Sequence, residues 1–212
     1  MGEKTQALIS ILKLQPVVPV LVIQDLAHAV PLARALVAGG LKAIEITLRT
    51  PVALQAIQAV ASEVEDAIPG AGTVLNARQY RQAVEAGSQF VVSPGTTLEL
   101  LDVARKSPVP LLPGAATPSE VMSLREEGYE VLKFFPAEQA GGAAYLKSLS
   151  SPLAGTLFCP TGGITPDNAR DYLSLPNVVC VGGSWVAPAA LVEAGDWEGI
   201  TRLATEASRL SA

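Results

Sequence analysis

Short apolar and β-branched runs alternate with longer stretches of helical periodicity along the whole chain. Eight runs read as strands: residues 17–23, 43–48, 67–74, 90–94, 109–113, 131–135, 156–160 and 178–181. Several are too short and too apolar to alternate cleanly, as expected of parallel strands covered by helices. The segments between them carry helix punctuation. Thr50-Pro51 and Thr165-Pro166 each set an N-cap residue before a proline at the first helical position. Thr117-Pro118-Ser119-Glu120 adds the glutamate of a capping box, and Asn76 with Gln79 is a weaker version. Gly39-Gly40, Gly87 and Gly128 are expected to close helices in the left-handed conformation. Pro31 predicts a kink in the first long helix or a later start for it. Residues 3–12 predict an extra short helix before the first strand, placed to plug the floor of a barrel.

Eight strand–helix units without a long linker predict a closed (β/α)8 (TIM) barrel, a single α/β domain over residues 1–212. The alternative is an open doubly wound sheet. The barrel is favoured because no glycine-rich dinucleotide turn follows the first strand.

In such barrels chemistry sits at the C-terminal ends of the strands. Along the second strand the period of two sends Ile44, Ile46 and Leu48 toward the helices, and Glu45, Thr47 and Arg49 into the mouth. Inward polar side chains are costly unless paired or used, so Glu45 and Arg49 are either an internal ion pair or working residues. In the sixth strand Leu132 and Phe134 share the outer side, which turns Lys133 inward between Val131 and Phe135. Lysine is rare in such surroundings. Burial disfavours a charged amine in general, and a neutral amine attacks carbonyls to form an imine. The competing reading is a structural lysine paired with Glu45. The last two strands end in Pro160-Thr161-Gly162-Gly163 and Val181-Gly182-Gly183-Ser184. These are either tight turns or, as is common after strands seven and eight of a barrel, a phosphate site built from backbone N–H groups. Thr73 offers a hydroxyl to the same mouth, and Thr96 reads equally well as a turn residue.

Composition narrows the partners. The formal net charge of −5, with scattered basic residues, argues against nucleic acid and anionic membranes. It also requires a local positive group for any anionic substrate, for which Arg49 and Lys133 are the candidates. The polar start and the absence of a long apolar run predict a soluble cytoplasmic protein. Cys159 and Cys180 read as buried small hydrophobes rather than a disulfide. The lone His28 reads as a packing residue, and so do Trp185 and Trp197. Without a second His or Cys at ligand spacing no ordinary zinc site is expected; residue types alone leave carboxylate-bound Mg2+ open.

Taken together, Glu45-Ile-Thr-Leu-Arg49, Gly70-Ala-Gly-Thr73-Val-Leu-Asn76, Lys133-Phe-Phe-Pro-Ala137, Cys159-Pro-Thr-Gly-Gly-Ile164 and Gly182-Gly-Ser-Trp185 resemble the 2-keto-3-deoxy-6-phosphogluconate (KDPG) and 4-hydroxy-2-oxoglutarate (KHG) aldolase family. The likeness runs in order from about Val17 to the C-terminal helix. It implies a class I aldolase with no metal and no cofactor. Lys133 would form the Schiff base, and Glu45 would be the general acid and base. Arg49 and Thr73 would bind the pyruvate carboxylate. Gly162, Gly163 and the region of Ser184 would hold the phosphate, and Thr161 would contact the substrate hydroxyls. It further implies a cytoplasmic homotrimer of the Entner–Doudoroff route, acting on a phosphorylated keto acid and on pyruvate. The galactonate epimer is an alternative substrate, and a metal-dependent aldolase or sugar-phosphate isomerase is an alternative activity. Small residues over 114–118 and altered residues over 138–142 depart from the family's usual pattern.

Overall fold

The computed structural model describes residues 2–210. In chain order the elements are α1 (Gly2–Leu12), β1 (Val17–Leu21), a 3-10 turn (Leu26–His28), α2 (Ala29–Ala38), β2 (Ala43–Thr47), α3 (Ala53–Glu63), β3 (Ile68–Gly72), α4 (Ala77–Glu85) and β4 (Phe90–Val92). There follow α5 (Leu98–Lys106), β5 (Leu111–Leu112), β6 (Gly114–Ala115), α6 (Pro118–Glu126), β7 (Val131–Phe134), α7 (Gly142–Leu149) and β8 (Leu157–Pro160). The chain ends with α8 (Ala169–Leu173), β9 (Val181–Gly183), α9 (Ala189–Ala194) and α10 (Trp197–Ser208).

The strands pair in the order β5-β4-β3-β2-β1-β9 and β6-β7-β8, and every pairing is parallel. Two seams join these sheets into a ring. Between β5 and β6 the Pro113 carbonyl accepts from the Lys133 backbone N–H at 2.9 Å. Between β8 and β9 run the parallel bridges Phe158–Val178 and Thr161–Gly182. β5 and β6 are therefore the two halves of the fifth barrel strand, interrupted at Pro113, which has no N–H to give a ladder. The fold is the expected TIM barrel.

Burial separates two apolar layers. Val17, Ile44, Ile46, Val91, Leu132 and Phe134 pack outward against the helices. Val18, Ala43, Phe90, Val92, Leu112, Val131, Cys159 and Cys180 pack inward with Leu8, Ile9 and Leu12 of α1. The N-terminal helix thus closes the floor, and the inward residues above it stop at the polar mouth. Cys159 and Cys180 lie 3.5 Å apart, both free thiols. The hydrogen bond to Cys159 and then burial push the Cys180 thiol well above its usual range. Near the floor, the buried Gln15 amide ties β1 to β2. It donates to the carbonyls of Val17 and Ala43 and accepts from the N–H groups of Lys42 and Ala43.

Several local expectations need correction. Of the two outcomes expected at Pro31 the later start is found, since α2 begins at Ala29 and Pro31 falls in its first turn, where no N–H is missed. Thr50 does not cap α3; its hydroxyl donates to the Ile23 carbonyl at 2.7 Å, and the helix begins at Ala53 without a side-chain cap. Thr165-Pro166 forms a turn, and α8 begins only after Asn168. The capping box at Thr117 and the Asn76 cap are both formed. Gly40, Gly87 and Gly128 are left-handed, whereas Gly39 has φ −81°. Gly39 is instead a contact point, since a Cβ there would overlap the Ala204 Cβ of α10. The last strand lies at Val181–Gly183 rather than 178–181. Among the described residues no helix is long and apolar enough to cross a membrane.

The Gly39 contact yields a test of the packing of α2 on α10. Because the backbone at Gly39 suits any residue, Gly39→Ala isolates the steric cost. It should destabilise the protein by about 1–3 kcal/mol in denaturant titration. An unchanged or raised midpoint would contradict the contact.

Candidate active site

The centre of the barrel mouth is formed by β2 and β7, on opposite walls. Their two-residue period brings Glu45 and Lys133 to the inside, above Ala43 and Val131. Lys133 Nζ lies 3.2 Å from Glu45 Oε1, and each side chain is only 4% exposed. Lys133 Nζ also stands 5.4 Å from the centre of the Phe135 ring, within cation–π range. This is the pairing expected from the sequence, and the internal Glu45–Arg49 pair is not formed. Arg49 lies beyond the end of β2, exposed, and its Nε donates to Thr73 Oγ1 at 2.9 Å. Thr47 is a structural residue, donating to the Leu21 carbonyl at 2.8 Å.

Glycine makes room for the pair. Gly72 on β3 sits against the Glu45 carboxylate, and a Cβ there would overlap Oε1. Directly after it, Thr73 is the one non-glycine residue with a positive φ, 56°, among the described residues. A threonine in that region is strained, and such strain persists where the surroundings over-determine it. Here the turn aims the Thr73 hydroxyl at Arg49, so an exposed guanidinium and a hydroxyl stand together at the rim.

On another side of the mouth the Thr161–Gly182 bridge sets the two glycine turns side by side. A Cβ on Gly182 would overlap Thr161 Oγ1, and one on Gly183 would overlap the Trp185 ring. Thr161 is buried, and its hydroxyl has no hydrogen-bond partner. Gly162 and Gly163 have φ values of 101° and 76°, conformations that favour glycine. Their N–H groups find no acceptor among the described residues. Consecutive free amides in a turn of this kind form an anion-binding concavity. Ser184, at the end of β9, is exposed beside it. Trp185 is a packing residue, as expected, and His28 meets Trp197 edge to face at 5.7 Å. Thr96 is a turn residue whose hydroxyl donates to the Gly114 carbonyl at 2.9 Å. Among the described residues no group of three or more His, Cys, Asp or Glu side chains is placed to hold a metal ion.

Two features escaped the sequence reading. The clearance role of Gly72 was signalled only by a glycine in a strand interior. The hydrogen bonds from the Ala137 and Glu138 N–H groups to the Thr161 and Gly162 carbonyls join residues distant in the chain and carry no local signal.

The arrangement is a buried amine with a carboxylate at hydrogen-bond distance, an exposed cation at one rim and free backbone amides at the other. Residues 8–203 match the family model described as KDPG and KHG aldolase. The KHG/KDPG aldolase of Escherichia coli K12 is 54% identical over 198 residues, covering 93% of each chain. Two solved structures superimpose closely. KDPG aldolase from Legionella pneumophila, with pyruvate captured as a covalent carbinolamine, has a TM-score of 0.92 at 46% identity and covers 94% of this chain and 97% of its own. The 2-keto-3-deoxy-6-phosphogluconate aldolase of Zymomonas mobilis with 3-phosphoglycerate has a TM-score of 0.91 at 52% identity and covers 96% of each. With this much of its length matched at this identity, the chain belongs to the KDPG and KHG aldolase family.

Proposed function

We propose that this protein is a class I aldolase that cleaves 2-keto-3-deoxy-6-phosphogluconate to pyruvate and glyceraldehyde 3-phosphate through an imine on Lys133. 4-Hydroxy-2-oxoglutarate is cleaved to pyruvate and glyoxylate at the same centre. The observation that carries this reading is the Lys133–Glu45 contact, 3.2 Å long and closed off from solvent. The pyruvate carbinolamine of the Legionella relative and the 3-phosphoglycerate of the Zymomonas relative support its two halves.

Each group has a task. Lys133 gives a proton to Glu45, and the free amine attacks the C2 carbonyl of the substrate. The carbinolamine loses its hydroxyl as water, with the proton supplied by Glu45, and leaves an iminium. That iminium draws electrons from the C3–C4 bond. Glu45 accepts the C4 hydroxyl proton as the bond breaks, the aldehyde leaves, and an enamine remains on Lys133. Protonation at C3 and hydrolysis release pyruvate and restore the amine. Arg49, held by Thr73, faces the substrate carboxylate and offsets its charge. The amides of Gly162 and Gly163, with Ser184, hold the phosphate, and the Thr161 hydroxyl meets the substrate hydroxyls. The phosphate grip lies away from the bond that breaks, so its contribution is orientation. In the same reading the enzyme works in the cytoplasm as a homotrimer.

Borohydride reduction in the presence of pyruvate tests the imine. Peptide mass spectrometry should place the adduct on Lys133, and Lys133→Met protein should carry none. An adduct on another lysine, or equal labelling of Lys133→Met, would refute the mechanism. Positioned acid–base catalysis is worth roughly 10²–10⁴-fold, so Glu45→Gln should lose about that much kcat while remaining folded. A loss of only a few-fold would remove Glu45 from its role.

A further inference from the structure

Each carbonyl of the Thr161–Gly162–Gly163 turn accepts a hydrogen bond. Ala137 N–H donates to the Thr161 carbonyl at 2.8 Å, and Glu138 N–H donates to the Gly162 carbonyl at 3.1 Å. The Asn168 amide donates to the Gly163 carbonyl at 3.0 Å, while its oxygen accepts from the Thr165 N–H at 2.8 Å. Beneath the turn lies the Glu138 side chain. A Cβ on Gly163 would stand 2.6 Å from Glu138 Cγ, so the glycine rests directly on that stem. The Glu138 carboxylate accepts from the Tyr172 hydroxyl. Tyr172 is 1% exposed and belongs to α8, the helix that Asn168 introduces.

An acidic side chain under an anion site calls for an explanation. The Glu138 carboxylate is engaged by the Tyr172 hydroxyl, and it is the aliphatic stem that lies against Gly163. Glu138 also belongs to the segment that leaves β7, five residues after Lys133. One end of this linkage therefore lies in the segment that directly follows the strand of the imine lysine, and the other lies on the helix that follows the phosphate turn.

We propose that Glu138, Tyr172 and Asn168 form a clamp that sets the position of the Gly162–Gly163 amides relative to Lys133. They are positioning residues that act on the phosphate end of the substrate and not on the imine. The proposal rests on the phosphate reading given above. Its consequence is selective: loosening the clamp weakens use of the phosphate and leaves the lysine chemistry alone.

The test compares kcat and KM for 2-keto-3-deoxy-6-phosphogluconate with those for the same sugar acid lacking the phosphate. Tyr172→Phe, Glu138→Ala and Asn168→Ala should each lower kcat/KM for the phosphorylated substrate by about tenfold, mainly through KM. For the unphosphorylated acid the change should stay within about twofold. Glu138→Gln keeps an acceptor for Tyr172 and should restore most of the lost phosphate preference. Glu138 is exposed, so its variants remain informative even if Tyr172→Phe fails to fold. Equal losses on both substrates, no loss on either, or a Glu138→Gln as impaired as Glu138→Ala would overturn the clamp alone. A wild-type enzyme that uses both acids equally would remove the phosphate site itself, and the clamp with it.

Discussion

The structure depends on one buried contact, an ammonium and a carboxylate 3.2 Å apart above an inward layer of apolar side chains. Taking such charges out of water is expensive, and mutual attraction repays the cost only when the geometry is good. Everything around the pair serves that geometry. Parallel strands on opposite walls bring the two groups to one height. Gly72 leaves space for the carboxylate, and Phe135 places an aromatic ring near the amine. α1 closes the floor beneath the apolar layer on which the pair stands. A purely stabilising role would be poorly served by this design, because well-packed apolar residues often do as well.

The rest of the mouth divides by charge and by rigidity. A guanidinium held by the strained Thr73 stands at one rim, and two glycine amides without an acceptor among the described residues stand at the other; in the proposed reading these meet the two anionic ends of the substrate. In that reading a net negative chain meets anions locally, without a basic patch. Backbone amides suit the phosphate end because their direction is set by the fold. That advantage lasts only while the turn keeps its shape, and the proposed clamp assigns this task to the contacts on its carbonyls.

Much of this was legible in the chain. The two-residue period of β2 and β7 turned Glu45 and Lys133 inward and sent their neighbours outward, as observed. The glycine pairs after the last two strands marked the other rim. Illegible features had physical causes. The fifth strand is split because Pro113 breaks the ladder, and the last strand lies later because Gly182 and Gly183 pair with β1 despite low strand propensity. Thr50 resembled a cap until tertiary structure offered its hydroxyl a carbonyl on another segment. The contact between Glu138 and Tyr172 spans 34 residues and leaves no local trace.

The direct measurement of the central contact is a double-mutant cycle in folding stability, using Lys133→Met, Glu45→Gln and the two combined. Each single change leaves a buried charge without its partner and should cost about 3–5 kcal/mol. The combined protein, with both charges gone, should be destabilised by clearly less than the sum of the two. Strictly additive losses would mean that the two side chains do not interact, and the account built on their contact would be wrong.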